Sequence, residues 1–201
     1  MNEIFVSNLK SYFPPEENIF EKPKLEFADP LFKRRLSQIS RMTIQVLHDL
    51  IEDCPEAKNY KQIFVSFRGE LSREFSINKS LILDSEILPA AFSLSVFNTP
   101  IASASLCLQL KGGYSVIYPS KCDFKSAVLS AVSVLLSGAE EKIILVYADE
   151  AILEEYKGVS PKNADVLAFA CILQTENKNQ NAKKIDFENI STPKDFVKNM
   201  Q

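Results

Sequence analysis

A few places in the sequence bring together residues of the types that do chemistry. Lys121 and Cys122 stand directly before Asp123 and a run that reads as a helix. A thiol beside a cation at a helix N-terminus has a lowered pKa and can carry an acyl group as a thioester. The same cysteine without a base is a small apolar residue, and the same lysine is a solvated cation, so both readings stay open. Asp149 and Glu150 end an apolar strand-like run, where α/β proteins keep their sites. Adjacent carboxylates on an extended chain point to opposite faces, so this pair reads as structural or solvent-exposed. Ser95 and Asn98 precede a helix and either orient a substrate or satisfy a loop and a cap. The single histidine, His48, lies among Val46, Leu47 and Leu50 and reads as a packing or surface residue. Gly112-Gly113 is too short for a phosphate-binding fingerprint and reads as a helix stop.

Elements must hold these residues. Ile4–Val6 predicts a short strand, and the prolines at 14, 15, 23 and 30 predict an irregular stretch after it. Leu36, Ile39, Thr43, Val46, Leu47 and Leu50 recur at helical spacing, predicting an amphipathic helix over 32–52 that Pro55 stops. Residues 63–67 read as a buried strand and 71–83 as a helix, and 89–99 as a loop or short extended piece. Thr99-Pro100 offers an N-cap and a first-turn proline for a helix to about 110, whose small residues Ala102–Ser105 predict that the helix is buried. Residues 114–118 predict a strand. Asp123 caps a helix over 124–137 that is apolar on most sides and stops at Gly138. The continuous apolar runs 142–148 and 166–173 predict strands covered on both faces. From Thr175 the chain turns polar, so residues 174–201 read as a weakly packed tail. The alternation predicts an α/β three-layer α-β-α sandwich around a mostly parallel mixed sheet of about five strands.

Composition narrows the function classes. Lys plus Arg number 23 against 26 Asp plus Glu, a net charge of −3. No basic face exceeds Lys33-Arg34-Arg35, which speaks against nucleic acid and against a polybasic membrane anchor. No apolar run reaches the length of a spanning helix, and the N-terminus has no signal-peptide pattern, so a cytoplasmic address is expected. The four cysteines, Cys54, Cys107, Cys122 and Cys171, form no C-x-x-C pair. They predict reduced thiols and neither a disulfide framework nor a metal site.

The order of motifs is more specific than any one of them. Pro89-Ala-Ala-Phe92, Ser95-Val-Phe-Asn98-Thr99-Pro100, Gly112-Gly-Tyr-Ser-Val-Ile-Tyr118, an apolar helix ending at Gly138, and Ile143–Glu150 follow one another. Together they resemble the N-terminal half of a β-ketoacyl synthase of the thiolase superfamily. The early helix Arg34–Met42 resembles that family's arginine- and methionine-containing helix. The Ser-Val-x-Asn-Thr segment is similar to half-length proteins that act as chain-length-factor partners in aryl-polyene clusters. The resemblance covers about residues 1–173, leaving 174–201 outside it.

The resemblance implies a nucleophilic cysteine at the start of the apolar helix, assisted by two histidines, or a histidine and an asparagine, from the second half of a full enzyme. Counted from Gly112 and Gly138, the cysteine's place falls on Lys121, and Cys122 lies one residue later. One residue at a helix start turns a side chain by about 100°, so Cys122 is the alternative only if the alignment slips. The histidine pair has no counterpart in these 201 residues. The resemblance therefore implies a catalytically inactive subunit with no cofactor. Its expected partner is a full-length β-ketoacyl-ACP synthase, with acyl carrier protein engaged indirectly. It also implies contact through Tyr114–Tyr118 and the Ser95–Leu110 segment, making Ser95, Asn98, Tyr114 and Tyr118 candidate binding or interface residues. Phe92 and Phe97 lie nearby and suit either core or interface. Two other readings stay open: a small acyltransferase using Cys122 as acyl acceptor, and a non-catalytic homodimeric binding protein.

Overall fold

The two continuous apolar runs form the adjacent inner strands of one sheet. The computed structural model describes residues 3–152, 154–156, 165–177 and 182–201. Its strands are β1 (Phe5–Tyr12), β2 (Lys61–Val65), β3 (Tyr114–Ile117), β4 (Lys142–Asp149), β5 (Leu167–Gln174) and β6 (Lys183–Lys184). Its helices are α1 (Pro30–Lys33), α2 (Gln38–Asp53), α3 (Leu71–Asp84), α4 (Pro89–Phe92), α5 (Thr99–Leu108), α6 (Phe124–Leu136) and α7 (Pro193–Met200).

The sheet order is β3-β2-β4-β5-β1-β6. β2 runs parallel to β3 and β4, whereas β5 is antiparallel to both β4 and β1. Strands β1 to β4 therefore point one way and β5 and β6 the other, a mixed sheet with one strand more than the sequence suggests. The extra strand is the two-residue β6, paired to Phe5 and Val6. β1 continues well beyond Val6 because a bulge between Ser7 and Lys10, with Asn8 at φ 51°, lets the polar residues 7–12 keep pairing with β5.

Alternate side chains of the sheet go to two cores. On one face Phe64, Ile144, Val146, Ala168 and Ala170 meet α2 and α5; on the other Val65, Leu145, Tyr147 and Phe169 meet α6 and α7. This is the expected three-layer sandwich. α2 starts at Gln38, later than its periodicity suggests. Ser37 accepts the Ser40 N–H as N-cap, while the preceding turn forms α1, capped by Asp29. His48 on α2 stacks on Phe27 with centroids 3.6 Å apart, a packing role.

Several local expectations need correction. The stop of α5 is Gln109, which adopts the left-handed conformation itself. Gly112 instead lets β3 lie against β2: a Cβ there would run into the carbonyl of Tyr60. α5 is buried only on its Ile101 and Ala104 side, with Leu106 exposed. The segment expected to be a weakly packed tail carries β6 and α7, and Phe196 and Val197 are fully buried. Phe196 stacks on Phe169 at 5.0 Å and meets Phe124 edge-on at 6.0 Å. Five buried apolar residues in a lysine- and asparagine-rich stretch seat it: Ile185, Ile190, Phe196, Val197 and Met200.

α6 is apolar towards the sheet through Phe124, Ala127, Val128, Ala131, Val132 and Leu135. Its outer face mixes exposed Leu129 and Leu136 with Ser126, Ser130 and Ser133, and Ser137 follows at its end. Each hydroxyl donates to a carbonyl three or four residues back, at 2.7–2.9 Å.

Candidate functional site

The ends of the parallel strands β2, β3 and β4 lie side by side, because Val65 is in register with Ile117 and Tyr147. The loops leaving these ends carry most of the candidate residues. Asp149 is completely buried. Its Oδ1 accepts from Ser66 Oγ at 2.7 Å and Arg68 N at 3.0 Å; its Oδ2 accepts from Phe67 N at 2.9 Å and Tyr147 OH at 2.7 Å. Burial pushes its carboxyl pKa up, while the bonds from Phe67, Tyr147 and Ser66 and the Arg68 charge draw it back. Burial and the neighbouring Asp149 charge push the Tyr147 hydroxyl well up. This carboxylate is a structural tie that folds the loop after β2 onto the end of β4.

Glu150 faces the other layer. Its Oε2 accepts from Ile39 N at 3.3 Å and its Oε1 from Ser72 N at 3.4 Å, in the first turns of α2 and α3. Burial and then Glu70 raise its pKa. Glu70, equally buried, accepts from Ser37 Oγ at 2.7 Å and Ser40 Oγ at 2.6 Å, and pairs with Arg73 Nε at 3.2 Å. Two helix N-termini thus converge on two buried carboxylates, an arrangement their dipoles stabilise. Both acids of the Asp149-Glu150 pair are buried and hold loop and helix N–H groups, so the solvent-exposed alternative falls. Glu70, Ser37 and Gln38 were not legible as a polar cluster. Gln38 donates to the Ile19 and Glu21 carbonyls at 2.6 and 2.8 Å and accepts from Ala151 N at 2.9 Å, pinning the proline-rich strap beside this cluster.

On the β3 side, Lys121 lies exposed in the turn between β3 and α6 with φ 53° and ψ 27°, a left-handed conformation uncommon for lysine. Asp123 caps α6 through Lys125 N at 3.1 Å. Cys122 completes the turn, and its side chain lies outside the described set. The other three cysteines are free thiols; burial pushes Cys54 up to about 11 and Cys171 higher still, so both stay protonated.

The predicted interface residues come together in part. Asn98 Nδ2 donates to Tyr114 OH at 3.1 Å, which explains why Asn98, the N-cap of α5, makes no capping bond. Phe97 meets Tyr118 edge-on at 6.2 Å and presses on Gly69, leaving no room there for a Cβ. Ser95 turns away and donates to the Phe92 carbonyl at 2.8 Å, a local loop bond. β3 is an edge strand, and Tyr114 and Tyr118 on it are exposed.

Among the described residues no cluster of histidine, cysteine or acid side chains could hold a metal, and no helix is long and apolar enough to cross a membrane.

A comparison with curated protein sequences finds no match. Solved structures do resemble the chain. A chain of the complex of ketosynthase ApeO with its chain length factor ApeC from Xenorhabdus doucetiae superposes with a TM-score of 0.69 at 18% identity, covering 86% of this chain and 79% of that one. A chain of the AntDE:AntF complex, a type II PKS acyl-carrier protein with its ketosynthase, gives 0.65 at 10% identity over 87% and 63%. The ishigamide ketosynthase/chain length factor gives 0.58 at 9% over 75% and 47%. The chain thus spans about half to four-fifths of these relatives, and at such identities the likeness shows a shared thiolase-like ketosynthase fold. The model of the beta-ketoacyl synthase N-terminal domain matches residues 11–199. That match runs through the strap, the three strand ends, the Lys121 turn and α7 alike, and by it the chain belongs to the beta-ketoacyl synthase N-terminal domain family.

Proposed function

We propose that this chain is a non-catalytic, chain-length-factor-type subunit that pairs with a full-length β-ketoacyl-ACP synthase and helps to shape its acyl pocket, in fatty-acid or polyene-type biosynthesis. The observation that carries the reading is Lys121. The resemblance expects a cysteine nucleophile at the turn into α6, and the turn is present with a lysine in it. An ammonium group there forms no thioester. Asp149 and Glu150, the paired acids that end β4, hold the loop after β2 and the first turns of α2 and α3.

The pairing half of the reading rests on the β3 flank. β3 is a four-residue edge strand with no residue fully buried, and an edge of that kind is completed by a strand from another chain. The α3–α4 region, which follows β2 in sequence, exposes Ile82, Leu83, Leu88 and Phe92, an apolar surface of the sort that marks an interface.

Co-expression with a cysteine-bearing β-ketoacyl-ACP synthase from the same gene neighbourhood, followed by gel filtration, tests it. Co-elution as a one-to-one complex is expected; two separate peaks at all concentrations would overturn it. Intact mass after incubation with acyl carrier thioesters tests the inactivity. No adduct is expected, and a cysteine-linked acyl group lost in Cys122→Ala would replace this reading with the acyltransferase one.

A further inference from the structure

A cavity of about 630 Å³ lies above Glu150, between the strap, the first turn of α2, and the α3–α4 pair. This is within the usual range of small-molecule sites. One wall is apolar, with Phe20, Ile87 and Leu88, and Ile77 of α3 adds to it from the side. The opposite wall is the α3 face bearing Ser72, Ser76 and Ser80, whose four-residue spacing keeps a channel of small side chains along the helix. The strap cannot drift from this cavity without breaking the two bonds by which Gln38 holds the Ile19 and Glu21 carbonyls.

Charge decides what fits. Three acids line the cavity, Asp84, Glu86 and Glu150, against Lys22 and Arg73. Arg73 is committed elsewhere: its Nε pairs with Glu70 at 3.2 Å and its Nη2 donates to the Arg35 carbonyl at 2.7 Å. Glu150 is 97% buried at the floor, where it accepts from the Ile39 and Ser72 N–H groups at 3.3 and 3.4 Å and also bonds the Ser72 hydroxyl. A carboxylate offers about four lone-pair positions, so a donor arriving from the cavity finds acceptor capacity there. Glu70 lies beside it and adds to the negative potential.

We infer that this cavity is a binding site for an elongated apolar molecule with a protonated amine head, the ammonium donating to Glu150 and the chain lying along the serine face of α3 against Phe20, Ile77 and Leu88. An alcohol of the same length binds more weakly, and a carboxylate is excluded by the acids of the floor and rim. The inference shares Leu88 and the α3–α4 pair with the surface named for pairing, but none of its residues lies on β3 and its test reads the isolated chain.

The test titrates the isolated full-length chain near neutral pH with decylamine, decanol and decanoate, each below its micelle-forming concentration, by calorimetry. Decylamine is expected to bind at least tenfold more tightly than decanoate, with decanol between. Glu150→Gln should cut the amine's advantage over the alcohol at least tenfold while sparing decanol. Ser76→Leu and Ser80→Leu, which fill the cavity from an exposed helix face, should abolish binding of both with far-UV circular dichroism unchanged, and they keep the test valid if Glu150→Gln fails to fold. Decanoate binding as tightly as decylamine, amine binding untouched by Ser76→Leu, or no amine binding by folded wild-type chain would each overturn the inference.

Discussion

The two flanks of the sheet are built on opposite plans. At the β1 flank the edge is covered: β6 pairs with Phe5 and Val6, Lys184 reaches Glu3 at 2.6 Å, and α7 lays Phe196 and Val197 into the aromatic cluster of Phe124, Tyr147 and Phe169. At the β3 flank the edge strand is short and its tyrosines are exposed, and α3 and α4, which follow β2 in the chain, leave leucine, isoleucine and phenylalanine side chains in water. Burial of apolar surface is the main driving force of folding, so a chain that closes one flank and leaves the other open has concentrated its own stability on the closed side. The open side then has surface to spend on association.

Perturbing each flank sharpens the contrast. The largest effect is expected from Phe196→Ala, which removes a fully buried ring stacked on Phe169; urea denaturation should show a loss of about 3–5 kcal/mol. Asp149→Ala should come next, at about 2–4 kcal/mol, because it strands four buried donors at the strand ends shared by both flanks. On the open flank, Phe92→Glu should change the stability of the isolated chain by no more than about 0.5 kcal/mol yet abolish co-elution with the synthase. A large destabilisation by Phe92→Glu would erase the contrast between the flanks.

The smallest effect depends on pH. Burial and Glu70 hold the Glu150 carboxyl above the usual range, so the folded chain takes up this proton more readily than the unfolded one. The stability linked to it is present at low pH and is lost as pH rises through the folded-state pKa. Glu150→Gln, which resembles the protonated acid, should therefore raise Tm slightly near neutral pH, with the gain shrinking as the pH falls towards the ordinary glutamate range. A gain that grows on acidification would refute the assignment.

Legibility in the sequence follows the same division. α2, β4, β5 and α6 announce themselves because one burial pattern runs through each, and Asp123 and Gly138 bound α6 as their types suggest. The closed flank was harder to read: Phe196 and Val197 act through contacts almost thirty residues and more away in sequence, in a stretch whose composition is polar. The Lys121 turn was legible only by counting between glycines, and its left-handed backbone has no signal in a lysine codon position. The buried acids defeated simple reading because carboxylates ordinarily lie at the surface. What hides them is donors from loops and helix ends, which no spacing rule collects. The one local hint was Ser37 and Ser40, hydroxyls at the N-cap and in the first turn of α2, and both bind Glu70.

The serines on the outer face of α6 carry one more consequence. Hydroxyls normally resist being dried, because water must be stripped from each donor. Here Ser126, Ser130, Ser133 and Ser137 have already turned their protons onto the helix's own carbonyls. That surface is wettable, yet a dry neighbour laid upon it would orphan none of these protons, so the helix is equally at ease as an outer wall or as the middle of a thicker sandwich.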